Sequence, residues 1–210
     1  MYKKLTFIII LSSGLIACSQ NFYNKKLMKA IQNNDTYKVS SILEKQKVNI
    51  NYISKLYDYE ARTPLTLASQ KRNYEIVKLL VDKGAGVNIR DGANHTALIE
   101  ASKRGYFEIV KYLVENGADI NAKDNDGKTT LMIASEDRNL EIVKYLVRNG
   151  ANVNAQNNDG KSAFDLMLIR GNAEIEGLEM RGLDKEEIEK RKEEITKEAI
   201  EIAKVLRGIR

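Results

Sequence analysis

Few residues of this chain are of a type and spacing that could support chemistry. The segment Asp124-x-Asp126-Gly127 places its carboxylates as a calcium-binding loop would. However, Ala122 and Ile133 stand where such a loop needs an acidic ligand and a closing glutamate. His95 is the sole histidine and Cys18 the sole cysteine, so the chain cannot build a histidine-cluster metal site or an intramolecular disulfide. With no G-x-S-x-G elbow for a serine nucleophile, the sequence predicts a protein that is not an enzyme and needs no metal or cofactor.

The elements that carry these residues follow one repeat. The heptapeptide EIVKYLV occurs at Glu108–Val114 and again at Glu141–Val147, and the near copy EIVKLLV occupies Glu75–Val81. Each copy lies 33 residues after the last. Four further columns share this step: Gly84, Gly117 and Gly150; Asn88, Asn121 and Asn154; Thr63, Thr96, Thr129 and Ser162; and Asp58, Asp91, Asp124 and Asn157. A fixed period of this length is the signature of a stacked repeat protein.

Each repeat predicts two short helices and a projecting turn. Thr96 is placed to cap a first helix, which Gly105 can end in the left-handed conformation. A second helix carries an apolar stripe from Ile109 to Val114 and stops at Gly117. A turn at Asp124–Gly127 then leads into the next unit. Because neither helix is long enough to be stable alone, the units must stack to bury their apolar sides.

These residues resemble the ankyrin repeat, whose pattern includes D-x-x-G-x-T-P-L and G-A-D-V-N-A. The match covers about Leu27 to Ile175 and implies an all-α solenoid with a concave binding face. The family's histidine after the leucine is absent, since Thr66, Ile99, Met132 and Asp165 occupy that position, and Pro64 is the sole proline. Arg72 and Arg138 replace the helix-ending glycine that Gly105 and Gly171 keep.

The resemblance and the columns together predict the organisation of the chain. We expect a divergent first repeat at 25–57, with its first helix near Lys25, repeats at 58–90, 91–123 and 124–156, and a degenerate repeat at 157–181. Residues 182–210 predict an amphipathic helix that begins at Asp184 and carries Ile195 and Ile202 on one face. This helix either caps the last repeat or is offered to a partner or to a second copy of itself.

The first residues predict a targeting segment. Lys3 and Lys4 precede an apolar stretch, Leu5–Ile16, which is too short for an ordinary membrane span. Leu15-Ile16-Ala17-Cys18 resembles the lipobox of bacterial lipoproteins. That resemblance implies cleavage of residues 1–17, lipid on Cys18, a short tether at 18–24 and a place on a membrane of the bacterial envelope, facing the periplasm or the exterior. The alternative is an ordinary signal peptide with an incidental cysteine.

The charge composition of the chain limits the classes of molecule that it is expected to bind. The chain has a net charge of +5, and removal of residues 1–17 leaves 32 basic and 29 acidic residues. No block of like charge and no nucleic-acid motif is present, so neither nucleic acid nor a small-molecule substrate is expected. The ankyrin resemblance implies instead that the projecting turns and the ends of the first helices bind a protein.

Residues at these positions differ between repeats while the framework stays constant, although any one of them could be ordinary solvated surface. The candidate binding residues are Arg62, Gln70, Lys71, His95, Lys103, Arg104, Asp126, Lys128, Glu136, Asp137, Lys161 and Arg170. Their mixed charge favours a folded protein partner over a polyanion. Two alternatives stay open: a surface-displayed or host-directed adhesin, and an envelope spacer that acts through the C-terminal helix.

Overall fold

The computed structural model describes residues 20–45, 48–54, 61–182 and 184–208. The predicted signal peptide at 1–17 and the predicted lipidation site at Cys18 lie outside the described residues. Residues 20–24, which the sequence assigned to a tether, are instead helical. Their helix is held to the first repeat because the side-chain oxygen of Asn24, which is buried, accepts a hydrogen bond from the Asn49 amide at 2.9 Å.

The described chain is built from helices that pair in sequence order. They are α1 (20–32), α2 (Thr36–Lys45), α3 (Pro64–Gln70), α4 (Tyr74–Asp82), α5 (Ala97–Lys103), α6 (Phe107–Glu115), α7 (Thr130–Glu136), α8 (Leu140–Arg148), α9 (Ala163–Met180) and α10 (Lys185–Leu206). Within the described ranges, β pairing is limited to one isolated antiparallel bridge between Lys123 and Thr129. The prediction of an all-α solenoid is confirmed.

The helices stack in two rows. An inner row consists of α3, α5, α7 and α9, and an outer row consists of α2, α4, α6, α8 and α10, with neighbours in each row in contact. Fully buried aliphatic side chains join the rows, among them Leu98 on α5 and Ile109 and Leu113 on α6. Each such side chain contributes roughly 1.5–3 kcal/mol before its entropy is subtracted. The stacking therefore buries the apolar sides that a single repeat would leave in water.

The hydroxyl column caps the inner helices, as predicted. The side-chain oxygen of Thr96 accepts a hydrogen bond from the Ile99 amide at 3.3 Å, and Thr63 and Ser162 cap α3 and α9 in the same way. Such a cap satisfies one of the amides that the first helical turn leaves unpaired.

The acidic or amide column shapes the projecting turns. The Asp124 carboxylate accepts hydrogen bonds from the amides of Asp126 and Lys128, both at 2.9 Å. Asp91 and Asn157 hold their own turns through the equivalent pair of bonds. The first carboxylate of the apparent calcium loop, Asp124, is therefore a turn-forming group, a common use of aspartate and asparagine.

The asparagine column ties one repeat to the next. The Asn88 side chain donates to the Gly117 carbonyl at 3.0 Å and accepts from the Asp119 amide at 2.8 Å. Asn121 makes the same pair of contacts with Gly150 and Asn152. Because one side chain satisfies a donor and an acceptor of the following repeat, this column fixes the spacing of the stack.

The end of each inner helix is left-handed whether or not glycine occupies it. Gly105 has φ +70° as predicted, and Arg72 and Arg138 adopt φ +59° and +55°. Each arginine has a contact that offsets this less favourable backbone. The Arg72 guanidinium lies 5.4 Å from the centre of the Tyr106 ring, and Arg138 forms ion pairs with Glu174 and Glu198.

The prediction that Gly171 ends a helix was wrong. Gly171 lies inside α9, which continues without a break to Met180. A Cβ atom at Gly171 would lie 3.1 Å from Cγ2 of Ile195 on α10. The glycine therefore allows α9 and α10 to approach closely, and it does not act as a helix stop here.

Helix α10 caps the array, as one of the two interpretations of the C-terminal segment predicted. It begins at Asp184, whose carboxylate accepts a hydrogen bond from the Glu187 amide at 2.8 Å. It packs against α8 and α9 and takes the place that an outer helix would occupy. Ile195 and Ile202 are buried in this contact, so the apolar face is used within the molecule.

Candidate protein-binding groove

A groove of about 530 Å³ opens along the inner row of helices. It combines the projecting turns of adjacent repeats with the C-terminal ends of α5 and α7 and with Arg170 in the middle of α9. Its lining consists of His95, Lys103, Arg104, Asp124, Asp126, Lys128, Ile133, Glu136, Asp137 and Arg170. Eight of the twelve predicted binding residues are in this lining, so the sequence positions chosen as variable meet on one surface of the fold.

Both signs of charge face this groove. Lys103 and Arg104 at the end of α5 and Arg170 on α9 are exposed cations. The charge of the Lys128 ammonium is partly neutralised, since it pairs with the Glu136 carboxylate at 2.7 Å. Beside this pair, burial and the negative charge of Glu136 raise the pKa of Asp137 against the opposing effect of Arg170 and Lys103. The groove therefore combines cations that form no ion pair among the described residues with a carboxylate at Asp137 that binds a proton more readily than usual.

Four predicted binding residues lie outside this lining: Arg62, Gln70, Lys71 and Lys161. Gln70 and Lys71 are half-buried at the end of α3, and Lys161 is exposed on the last projecting turn. Ile133, which the sequence did not select, is an apolar part of the groove.

Arg62 was wrongly predicted to be a surface contact. Its side chain is 7% exposed and forms ion pairs with Asp91 at 3.3 Å and with Glu100 at 2.9 Å. Glu100 is 2% exposed at its side chain and also contacts Nδ1 of His95 at 2.7 Å. Arg62, Asp91, His95 and Glu100 thus form a buried charge cluster that joins two neighbouring repeats beneath their turns.

The charge cluster controls the protonation of its members. Burial by itself would raise the pKa of Glu100, but hydrogen bonds from His95 and Arg62 and their positive charge lower it to about 2. The hydrogen bond to Glu100 raises the pKa of His95, against the opposing effect of burial. These are the expected effects of cationic partners on a carboxylate and of a carboxylate on an imidazole. Glu100 therefore holds His95, a groove residue, in a fixed position.

Glu100 is the functional neighbour that sequence reasoning missed. The signal for it was a break in one column: at the 33-residue step the equivalent residues are Leu67, Ile133 and Leu166. A carboxylate in an otherwise apolar column demands a buried cation. The position before each capping hydroxyl holds a basic residue: Arg62, His95, Lys128 or Lys161. Two of these, Arg62 and His95, contact Glu100.

Metal-binding clusters and membrane-spanning helices are both absent from the described residues. No group of three or more His, Cys, Asp or Glu side chains among them is arranged to hold a metal ion. In the same part of the chain, every helix is too short or too polar to cross a bilayer.

Comparison with known proteins agrees with the architecture. Parts of the chain are similar to two ankyrin repeat proteins of fowlpox virus: FPV228, 36% identical over 74 residues, and FPV230, 40% identical over 63 residues. These segments cover 35% and 30% of this chain but 13% and 31% of the viral proteins. The chain therefore matches less than a third of the length of either relative. The family model described as ankyrin repeats in three copies matches residues 7–91, 27–124 and 85–157. With most of its length matched in this way, the chain belongs to the ankyrin repeat family.

Proposed function

We propose that this chain is a non-catalytic binding module that holds a folded protein in the groove defined above. Ankyrin repeat proteins are in general protein–protein interaction modules. The observation that carries the proposal is the convergence of eight non-repeating residues on one groove of an otherwise repeating scaffold. Because the groove stands on stacked helices, the chain loses little conformational entropy when a partner binds.

Charge defines the kind of partner. The exposed cations Lys103, Arg104 and Arg170 line the same groove as the carboxylates of Asp126, Glu136 and Asp137. A polyanion would be repelled by the carboxylates, whereas a protein surface with both signs can match each of them.

The proposed location is a membrane of the bacterial envelope. It is supported by the resemblance of Leu15-Ile16-Ala17-Cys18 to a lipobox, which implies a lipid anchor on Cys18. Two or more acyl chains hold a protein stably on a bilayer, while a single chain holds it weakly. The mature protein then carries its groove close to the membrane, on the periplasmic or the exterior side. A surface-displayed or host-directed adhesin remains the alternative use of the same groove.

The groove is tested by a charge-reversal variant and a matched control. The variant carries Lys103→Glu, Arg104→Glu and Arg170→Glu. The control carries Lys78→Glu, Lys111→Glu and Lys144→Glu, an equal charge change at one repeating position of the outer helices. Each full-length chain is crosslinked in native membranes and recovered, and each captured protein is then purified and titrated against all three forms.

We expect a purified partner to bind the wild type and the control, and to lose affinity for the groove variant by at least about a hundredfold. That figure corresponds to about 1 kcal/mol for each reversed contact. Equal binding by all three forms would show that the groove is not the site. The outward side of α10 would then be the next candidate, and with it the alternative of an envelope spacer.

A further inference from the structure

The exposed side of α1 differs from every other helix surface described above. Phe22, Lys25, Lys26 and Lys29 are spaced i, i+3, i+4 and i+7, and all four are exposed. This spacing places them on one face of the helix. The opposite face carries Leu27, Met28 and Ile31, which are buried in the first repeat. We call the exposed set the lysine face.

The lysine face contains cations and no acidic residue. The exposed surface of α10 carries lysines and glutamates together: Lys204 pairs with Glu201 of the same helix, and Lys192 pairs with Glu179 of α9. In contrast, neither Lys25 nor Lys29 forms an ion pair within the described part of the chain. Lys26 lies over the Phe22 ring, 4.4 Å from its centre. A surface that serves only to keep the protein soluble carries both signs of charge, as α10 does.

The net charge of the chain is concentrated at this end. Residues 25–57 contain seven lysines and two acidic residues, a net charge of +5. Residues 58–210 contain 25 basic and 27 acidic residues, a net charge of −2. The chain is therefore polarised along the stack, with its positive end next to the predicted lipid anchor.

We propose that the lysine face lies flat on an anionic lipid surface. Lysines near such a surface are attracted to its phosphate groups, and each strengthens binding by about fivefold. An exposed aromatic ring beside them suits the boundary between headgroups and acyl chains, and Phe22 is 54% exposed. The occupant of this face is thus a membrane that contains acidic phospholipids.

The position of the anchor agrees with this orientation, and to that extent the inference rests on the proposed function. Gln20 is already helical and lies two residues after Cys18. Two residues span at most about 7 Å, which brings the first turn of α1 to the bilayer surface. The lysine face then fixes how the stack stands on the membrane and which way its groove opens.

The test compares lysine reactivity on two kinds of vesicle. The full-length chain is reconstituted into vesicles of phosphatidylcholine alone and of phosphatidylcholine with phosphatidylglycerol. A short pulse of an amine-acylating reagent is followed by mass spectrometry. Lys25, Lys26 and Lys29 report on the lysine face, while the exposed Lys185, Lys190 and Lys197 of α10 are controls within the same molecule.

We expect the three α1 lysines to react at least about fivefold more slowly on the anionic vesicles, with unchanged rates for the α10 lysines. About 1 M salt should restore their reactivity, because it reduces the screening length to about 3 Å. Equal slowing of both sets, or of neither, would overturn the proposal. The intact mass of the protein reports separately whether Cys18 carries lipid, so failure of the anchor and failure of the lysine face give different results.

Discussion

The buried Glu100 offers the sharpest test of how the repeats are joined. Replacement by glutamine keeps the size of the side chain and removes its charge. The Glu100 pKa is lowered from its usual value of 4.5 to about 2, and each tenfold change in proton affinity corresponds to about 1.4 kcal/mol. The ionised carboxylate thus stabilises the fold by about 3 kcal/mol, which agrees with the usual cost of removing one partner of a buried ion pair.

The sign of the pH dependence follows from the lowered pKa. The stabilisation is fully present above the unfolded pKa of 4.5 and is lost as the pH falls towards 2, where the folded form also takes up its proton. Glu100→Gln should therefore be about 3 kcal/mol less stable than the wild type at about pH 7. That difference should shrink steadily below about pH 4.5.

Urea denaturation followed by circular dichroism measures both quantities. Glu115→Gln, the same chemical change at an exposed position of α6, is the control and should lie within about 0.5 kcal/mol of the wild type. Arg62→Met should also be destabilising, because it leaves the buried carboxylates of Asp91 and Glu100 without their guanidinium partner. A loss under about 1 kcal/mol, or one that is equal at about pH 3 and pH 7, would refute the assigned role of the charge cluster.

Three further changes test neighbouring contacts by denaturation. The raised pKa of His95 stabilises the fold below about pH 6.5, and this contribution is lost as the pH rises through the folded value; His95→Gln should remove this pH dependence, and its persistence would exclude His95 as the source. Arg138→Gly and Arg138→Ala both lose the ion pairs to α9 and α10. The left-handed backbone at this position is unfavourable for alanine, which has a Cβ atom, but not for glycine. The alanine variant should thus be about 1 kcal/mol less stable than the glycine variant, and equal values would contradict the assigned strain. Gly127→Ala should cost at least about 1 kcal/mol more than Gly150→Ala, because its Cβ would lie 2.9 Å from the Asn158 backbone nitrogen while Gly150 faces open space; a smaller loss would show that the turns can separate.

The repeating part of the fold was open to prediction because its residues act locally. The cap at Thr96, the turn at Asp124 and the left-handed Gly105 each depend on backbone groups within a few positions. Their common period then requires stacking, whatever the details of the side chains. The same logic placed eight of the twelve candidate residues in the groove, since their column fixes their side of the stack.

The features that were predicted wrongly depend on contacts between distant residues. Gly171 occupies the column of Gly105, yet α9 runs through it because α10 packs against that point. Arg62 stands in a column of exposed or half-buried cations. It is buried because it forms an ion pair with Glu100 of the next repeat. No local pattern states which residue 38 positions away will be its partner.

Breaks in the repeat are therefore more informative than the repeat itself. A column that stays constant is already explained by the stability of the stack, so it carries no information about a partner. A residue that departs from its column must be compensated inside the fold or serve something outside it. Glu100 and Arg138 are compensated by ion pairs within the chain. Lys103, Arg104 and the lysines of α1 have no such internal compensation among the described residues, and these are the positions at which an external partner is expected to bind.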